Sequence, residues 1–494
     1  MSITAQANVP WTLGASQDGV TAPPHLHCLD GSRSFPTYAT YLIGNAAGER
    51  TGRGGVLNLD QKHAAAEFRC ARVTEDPIAR VGKAPRLLQL RMIEAASKAA
   101  RHLREIPHRE WMSLLADAGR QFAFGDDASA TATFVSRSAG LPRVRVLKAY
   151  AALASDLARM DEILSAQGPG PARSWRLIPR GSNLAVRIPG NFPTININWL
   201  ISLVLRRPVL LCASLLDPFS AHRLIQCFYQ AGGPEHAISL CFHDAELFWE
   251  RADQVLMSGD LPHSIPRDPV RIQQYHHGRS KVVVAGARLS GELAARLALL
   301  AVQGCGRLCT NISALLTDQG AEAMAQELAS AMAAFPVLPL DQPDAFVPCF
   351  PDRSMAHKLA ADISDALRRG ARDITGEITG APLAIENADG LFLRPTVLLV
   401  DADDPLFGSE APFPFVTVAN APAAEFVRRC RNSLVVSLIG GSRELFEDLV
   451  FEPTIDKVFA NDDFDRGYDP VDPHEGFLTD FLFRKKAVSE YGFQ

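Results

Sequence analysis

The sequence of residues 184–212 is LAVRIPGNFPTININWLISLVLRRPVLLC. Leu184 to Ile188 is a short apolar run typical of a buried strand, and Val209 to Cys212 is a second run of this kind. Between them lie the turn residues Pro189 to Asn191 and an apolar stretch, Ile195 to Leu205, which predicts a helix. A strand, a helix and a strand in this order predict two parallel strands with the helix packed against them.

The same alternation continues along most of the chain. Further strands are predicted at 238–241, 255–257, 281–285, 314–317, 393–400, 415–418, 435–439 and 457–460, and helices at 86–122, 141–164, 221–231, 291–302, 321–333 and 354–370. Short apolar strands that alternate with helices predict an α/β fold with parallel sheets covered on both faces. Such sheets bind their ligands at the carboxyl ends of the strands.

Composition indicates an ordinary soluble globular protein. The chain has 494 residues, of which 47% are hydrophobic and 21% charged, and the length predicts about two to three domains. The net charge of -5 does not favour nucleic acid or an anionic membrane as a partner. No apolar run approaches the ~18 residues of a membrane span, and the first residues do not resemble a secretory signal.

Cysteine usage indicates free thiols in a reducing cytoplasm. The nine cysteines are an odd number and several lie in apolar runs. Cys305 and Cys309 are the closest pair, but C-x3-C without a second pair or nearby histidines is poor spacing for zinc, so we expect no metal site.

The segment from Gly304 to Asn311 is the best candidate for chemistry. Its sequence is GCGRLCTN, and it precedes the apolar run Ile312 to Leu316. A thiol beside a strand and a glycine can act as a nucleophile if its surroundings favour the thiolate, although free cysteines are more often small buried apolar residues. Cys309 is our candidate nucleophile. We expect Cys305 to be structural, or to form a resting disulfide with Cys309.

Two further turns carry candidate residues for the same site. Gly190-Asn191-Phe192-Pro193 presents an asparagine amide where a strand meets a helix, and Asn191 is either a ligand-facing donor or a helix N-cap. Gly408-Ser409-Glu410-Ala411-Pro412-Phe413-Pro414 forms a second ligand-facing turn, in which Glu410 could otherwise be a solvated residue. The order and spacing of the three segments resemble the aldehyde dehydrogenase superfamily, from about residue 90 to the C-terminus.

The resemblance implies a role for each of these residues. Asn191 stands at the position of the asparagine that stabilises the oxyanion, and Cys309 at that of the nucleophile, with Arg307 where glutamine is usual. Glu410 matches the glutamate that holds the nicotinamide ribose, with Pro412 in the place of a phenylalanine. The stretch 255–260, which contains Gly259, is similar to the strand and turn that meet the cofactor pyrophosphate.

The resemblance also implies how the chain is divided. Residues 1–85 would be an N-terminal arm, 86–288 a Rossmann-type nucleotide-binding domain, and 289–445 the catalytic domain. Residues 446–494 would return to the nucleotide-binding domain and end in an oligomerisation strand, giving a homodimer or a homotetramer. The tail, 476–488, mixes aromatic and charged residues and suits an edge strand that pairs with another element or subunit.

Two departures from the family pattern concern the reaction and the cofactor. The stretch Tyr275-His276-His277-Gly278-Arg279-Ser280-Lys281 stands where hydrolytic members carry the glutamate that activates water, and it contains no carboxylate. This stretch is similar to the fatty-acyl thioester reductases of bacterial bioluminescence, as is Ser214-Leu215-Leu216-Asp217-Pro218. His276 or His277 could move a proton, or both could be solvated surface residues. Ser214 is a candidate cofactor contact.

These departures favour an acylating enzyme. The main prediction is NAD(P)H-dependent reduction of an acyl thioester, of coenzyme A or a carrier protein, to an aldehyde through a thioester on Cys309, or the reverse oxidation. The alternative is NAD(P)-dependent oxidation of an aldehyde to a carboxylic acid. Since the usual lysine at 211–214 and a glycine-rich turn between Pro234 and Asp253 are missing, a cofactor-free cysteine acyltransferase or a pseudoenzyme is a third alternative.

Overall fold

The computed structural model describes residues 84, 86–168, 175–242, 245–259, 265, 268–466 and 468–488, together with the backbone of seven short strands before residue 84. The helices are α1 (Arg86–Glu105), α2 (His108–Phe124), α3 (Ala128–Ala139), α4 (Arg143–Ala158), α5 (Met160–Gln167), α6 (Ile197–Val204), α7 (Pro218–Gln230), α8 (Glu246–Arg251), α9 (Gly291–Val302), α10 (Ala321–Met332), α11 (Arg353–Arg368), α12 (Ile374–Thr379), α13 (Phe426–Cys430), α14 (Arg443–Phe451) and α15 (Leu478–Leu482).

The strands are β1 (Trp11–Thr12), β2 (Thr21–Ala22), β3 (His27–Cys28), β4 (Leu42–Ile43), β5 (Gly55–Val56), β6 (Ala64–Arg69), β7 (Pro77–Gly82), β8 (Trp175–Pro179), β9 (Leu184–Arg187), β10 (Val209–Ala213), β11 (Ile238–Phe242), β12 (Gln254–Ser258), β13 (Ile272–Tyr275), β14 (Ser280–Ala285), β15 (Ile312–Thr317), β16 (Cys349–Phe350), β17 (Arg372–Asp373), β18 (Ala384–Asn387), β19 (Gly390–Leu393), β20 (Thr396–Leu399), β21 (Phe415–Asn420), β22 (Ser433–Gly440), β23 (Ile455–Ala460) and β24 (Phe483–Ala487). Apart from the backbone of β1–β7, the predicted N-terminal arm lies outside the described residues.

The first large sheet has the strand order β13-β12-β9-β10-β11-β4-β5. Strands β9 to β13 pair in parallel, with Leu184 opposite Val209 in β9 and β10, whereas β4 and β5 pair antiparallel at one edge. The residues of β10 and β11 are all buried, because helices cover both faces of a parallel sheet. The segment 184–212 therefore forms the strand–helix–strand unit that its sequence predicts.

The second large sheet has the order β17-β20-β21-β15-β14-β22-β23, and all its strands except β17 are parallel. The α/β fold class is thereby confirmed. The chain passes from the first sheet to the second between Tyr275 and Ser280, ahead of the change at residue 289 that the sequence suggests. Strand β23 still belongs to the second sheet, so the return toward the first begins after Ala460.

Helix and strand predictions were confirmed in most places and wrong at three breaks in long elements, two of them at a proline and one at Arg159, which separates α4 from α5 in the helix predicted at 141–164. The helix predicted at 291–302 is α9. The helical run predicted at 86–122 is two helices, because Pro107 lacks the N–H needed to continue a helix and takes the N-cap position of α2. The strand predicted at 393–400 is likewise two strands, β19 and β20, on either side of Pro395.

The C-terminal segment packs back onto the first domain. Strand β24 pairs antiparallel with β8, so the tail forms a strand as expected, and its role in pairing subunits stays a prediction. Helix α15 buries Leu478, Phe481 and Leu482 in the same core cluster as the first sheet. Within the part of the chain that the structure describes, no helix combines the length and apolarity that crossing a membrane requires.

Candidate active site

A single cavity of about 1130 Å³ runs along the carboxyl ends of β9, β10 and β12 and reaches the loop before β15. Its lining includes all eight residues that the sequence singles out: Asn191, Ser214, Gly259, His276, His277, Cys309, Glu410 and Pro412. The ends of parallel strands meet at one edge, which explains why residues from both sheets share the cavity. The residues that the sequence singles out therefore lie together, and their roles stay predictions.

The Cys309 loop is held in place by its own polar groups and by a close neighbouring turn. Asn311 accepts a hydrogen bond from the Leu308 N–H at 2.7 Å and donates to the carbonyls of Leu300 and Gln303. Ser280 donates to the carbonyl of Cys309 at 2.9 Å. A Cβ at Gly278 would overlap that carbonyl oxygen, so the turn between the sheets can approach the loop only because residue 278 is glycine.

The two cysteines of the loop differ in accessibility. Cys309 is half-buried and lines the cavity, unlike a core cysteine. Cys305 is fully buried, and its φ of 62° lies in the left-handed region. Burial raises the pKa of both thiols to about 12, and the carboxylates of Glu410 and Glu475 contribute to the rise at Cys309.

Arg307 ties the loop to three other segments. Its guanidinium is buried and donates to the carbonyls of Ala139 at 2.5 Å, Cys349 at 2.9 Å and Pro412 at 3.1 Å. Burial lowers the pKa of this side chain. Arg307 thus connects the Cys309 loop to the turn that carries Glu410.

Asn191 contacts the same loop. Its side-chain N–H donates to the carbonyl of Arg307 at 2.7 Å, and its Oδ1 is buried without a hydrogen-bond partner. Phe192 occupies the N-cap of the following 3-10 helix, so Asn191 does not serve as the cap that its position allowed. The amide lies on the cavity wall with Cys309.

The two predicted histidines lie at the cavity with a carboxylate beside each of them. His277 is exposed, and its Nδ1 is 3.0 Å from Glu410 Oε2. The second oxygen of Glu410 accepts from the Arg279 N–H at 3.0 Å, so Glu410 is a hydrogen-bonded residue of the site. The backbone N–H of His276 donates to Glu475 Oε1 at 3.0 Å.

Three residues at or beside the site were missed in the sequence: His474, which lines the cavity, Glu475, which follows it in the chain, and Lys457 on β23, the edge strand of the second sheet. His474 Nε2 is 3.4 Å from Cys309 Sγ. Lys457 interacts electrostatically with both Cys309 and His474. The dipeptide His474-Glu475 between a Pro-rich loop and a helix was the signal available, and no local pattern links it to Cys309.

The pKa values of the missed residues are strongly shifted. Burial, with a smaller contribution from Lys457, lowers the pKa of His474 to about 3. Burial raises the pKa of Glu475 to about 7, despite the hydrogen bond from His276. A carboxyl group that titrates near neutral pH is suited to accept a proton there.

No protein-family model matches this sequence, and no curated protein matches it. Many solved structures match its fold. A NAD-dependent benzaldehyde dehydrogenase from Corynebacterium glutamicum has a TM-score of 0.73 at 16% identity, over 91% of this chain and 98% of the other. An aldehyde dehydrogenase from Bacillus cereus has a TM-score of 0.71 at 16% identity, over 91% and 96%.

A glyceraldehyde-3-phosphate dehydrogenase from Methanocaldococcus jannaschii, complexed with NADP, has a TM-score of 0.68 at 13% identity, over 86% of this chain and 98% of the other. This chain has the aldehyde dehydrogenase fold. At such identities the likeness concerns the fold alone.

The cavity also offers an open backbone segment and polar groups of the kind that hold a dinucleotide. Gly259 ends β12 with a φ of 81°, and a Cβ there would meet no atom within 4 Å, which leaves the backbone open to a ligand. Ser214 and Glu410 line the same cavity and can bind hydroxyl groups. Cys212 lies where the sequence lacks the usual lysine and is also part of the lining.

Proposed function

We propose that this chain is a nicotinamide-dependent dehydrogenase that oxidises an aldehyde to a carboxylic acid through a thioester on Cys309. The fold and the shared cavity support this function, and the position of Glu475 is the observation that carries it. The sequence around His276 and His277 offers no carboxylate to activate water, but Glu475 comes from the C-terminal segment to the same turn, and its charge raises the pKa of Cys309.

The chain's own residues would form the intermediate. Cys309 attacks the aldehyde carbonyl and becomes bonded to its carbon. The amide of Asn191, which uses one N–H on the carbonyl of Arg307, and the backbone N–H of Cys309 would stabilise the negative oxygen. Such donors act most strongly in a site that excludes water.

The cofactor would lie along the strand ends. Ser214, Gly259 and Glu410 are the residues that would hold it, with Glu410 at the nicotinamide ribose. When bound, the nicotinamide supplies a hydride acceptor for the carbon attached to Cys309. Since both oxygens of Glu410 already accept hydrogen bonds, from His277 and from the Arg279 N–H, its carboxylate is fixed in place before a ribose binds.

Glu475 would release the product. Its carboxylate can take a proton from a water molecule that attacks the thioester, returning the Cys309 thiol and giving a carboxylic acid. The His276 N–H fixes one carboxylate oxygen. Because its pKa is raised to about 7, the group is a base above that pH and loses this ability as the pH falls below it.

Steady-state assays test this function. Acetaldehyde, hexanal and benzaldehyde are each supplied with NAD or NADP, without coenzyme A, and reduction is followed by absorbance. We expect turnover by the wild type, a loss of at least about 10³-fold in Cys309→Ala, and a rate that rises with pH through about 7. No turnover of any aldehyde without coenzyme A, or full activity in Cys309→Ala, would contradict the proposal.

Reduction of an acyl thioester is a second candidate. The observation that favours it is His277, which lies in the cavity with Nδ1 held by Glu410 and could protonate a leaving thiol. The carrier would be coenzyme A or a carrier protein. If turnover in the oxidative direction requires added coenzyme A, this candidate replaces the first. If neither NADH nor NADPH binds saturably, both candidate dehydrogenase functions are wrong, and a cofactor-free acyltransferase or a pseudoenzyme replaces them.

A further inference from the structure

We propose that His474 is the base that takes the proton from the Cys309 thiol when the sulfur attacks, so that the nucleophile works as a Cys309–His474 pair. The Nε2 atom of His474 is 3.4 Å from Cys309 Sγ, within hydrogen-bonding distance for sulfur. His474 also lines the cavity that Cys309 faces. A nucleophile and a base within reach of each other are the arrangement that activated thiols require.

The imidazole ring is held in a fixed orientation. Tyr275 and Tyr468 meet it edge-on, with ring centroids 5.5 and 5.6 Å away and interplanar angles of 79° and 86°. Two aromatic contacts of this kind restrict rotation of the ring. Nε2 therefore stays directed at the sulfur, and Nδ1 is buried without a hydrogen-bond partner among the described residues.

Lys457 supplies a positive charge beside this pair. Its side chain is only 5% exposed, and its Nζ makes no hydrogen bond to any residue that the structure describes, although it lies 5.6 Å from the centre of the Tyr468 ring. The ammonium group lowers the pKa of both Cys309 and His474. It therefore favours the thiolate and keeps the imidazole neutral at rest.

Negative groups oppose this effect at the sulfur. Glu410 and Glu475 both raise the pKa of Cys309, so the resting thiol keeps its proton. Proton transfer is then coupled to bond formation: the S–H bond breaks, the S–C bond forms, the carbonyl electron pair moves to oxygen, and the proton passes to His474 Nε2. At rest Nε2 is unprotonated, because the pKa of His474 is lowered to about 3, so the imidazole accepts the proton only while the negative charge of the attacked carbonyl forms beside it.

This proposal rests on the role of Cys309 in the proposed function, but its test needs neither an aldehyde nor a nucleotide. The probe is iodoacetamide, and the rate of Cys309 alkylation is measured by peptide mass spectrometry across a pH series. We compare wild type, His474→Gln and the control His357→Gln, whose histidine is exposed on α11. Circular dichroism and thermal unfolding show whether each variant is folded.

We expect His474→Gln to slow alkylation at neutral pH by about tenfold or more, and His357→Gln to match the wild type. Imidazole added to His474→Ala should restore part of the rate, an effect that a purely structural histidine would not produce. Equal rates in wild type and His474→Gln, or no response of His474→Ala to imidazole, would overturn the proposal.

A second variant keeps the test independent of the folding of His474 variants. Lys457→Met removes the ammonium group and should slow alkylation at every pH of the series, because that charge lowers the thiol pKa. An unchanged or faster rate would contradict the role of Lys457. If aldehyde turnover is absent but alkylation depends on His474, the proposed function is wrong, whereas the Cys309–His474 pair is supported.

Discussion

Arg307 shows how a single side chain can organise the site without taking part in its chemistry. The buried guanidinium donates to three carbonyls, those of Ala139, Cys349 and Pro412. A buried carbonyl that loses its donor carries a desolvation cost, and bonds from charged donors are the stronger ones. The orientation of the loop that carries Cys309 thus depends on residues from three distant parts of the chain.

Replacing Arg307 by alanine should be strongly destabilising. We expect Arg307→Ala to lower the free energy of unfolding by at least about 3 kcal/mol, because several buried carbonyls lose a charged donor together. Urea unfolding measures the change. Arg353→Ala is the matched control, since its ion pair with Glu386 is exposed and its loss should leave the free energy of unfolding nearly unchanged. Equal effects of the two substitutions would refute the role of Arg307.

Among individual residues, the sequence could single out those that belong to a short local motif. Asn191, Cys309 and Glu410 each stand in a short motif at a strand end, and the structure brings them to one cavity. His474 and Glu475 belong to no such motif. They meet Cys309 and His276 through packing across the whole chain, with a separation of 165 residues between Cys309 and His474, and this cannot be inferred from local spacing.

The C-terminal segment is the element on which the site depends most. It supplies His474 and Glu475, and it is anchored by the buried residues of α15 and by the pairing of β24 with β8. The sequence predicted an edge strand in the tail, which is confirmed, but the helix of only five residues was too short to show a periodic pattern. Longer elements such as α9, with 12 residues, could be predicted because they are long enough to show a periodic pattern.

Removing the anchor of this segment should disturb stability and the site together. Leu482 is fully buried, so we expect Leu482→Ala to lower the free energy of unfolding by about 2–5 kcal/mol. Hydrogen exchange should become faster at residues 468–482 before it does so in β9 or β10. Phe451→Ala, at a side chain 78% exposed, is the control and should change stability by less than about 0.5 kcal/mol. Unaltered exchange at 468–482 in Leu482→Ala would contradict the anchoring role.

At the scale of the whole molecule, charge around the cavity bears on the cofactor. Glu246 and Glu250 line its wall, and of the described residues Arg86 pairs with both, at 3.7 and 3.9 Å. The net charge of this group is negative, as is that of the chain at -5. In Rossmann-type sites an acidic side chain near the adenine end suits the ribose hydroxyls of NAD, whereas NADP places a phosphate there.

We therefore expect NAD to bind about tenfold or more tightly than NADP, because like charges would meet in the NADP complex. Isothermal titration calorimetry with each nucleotide measures the ratio. The double substitution Glu246→Gln and Glu250→Gln should narrow the difference by strengthening NADP binding. Tighter binding of NADP to the wild type would show that these carboxylates do not select the cofactor.

In the proposed reaction Cys309 forms a thioester, which water hydrolyses with Glu475 as the base. Intact-protein and peptide mass spectrometry of Glu475→Gln after incubation with hexanal and NAD tests this step. We predict an acyl adduct on the Cys309 peptide that accumulates in Glu475→Gln, decays about 10²-fold more slowly than in the wild type, and is absent from the double variant with Cys309→Ala. An adduct that survives Cys309→Ala, or decay in Glu475→Gln as fast as in the wild type, would contradict the account.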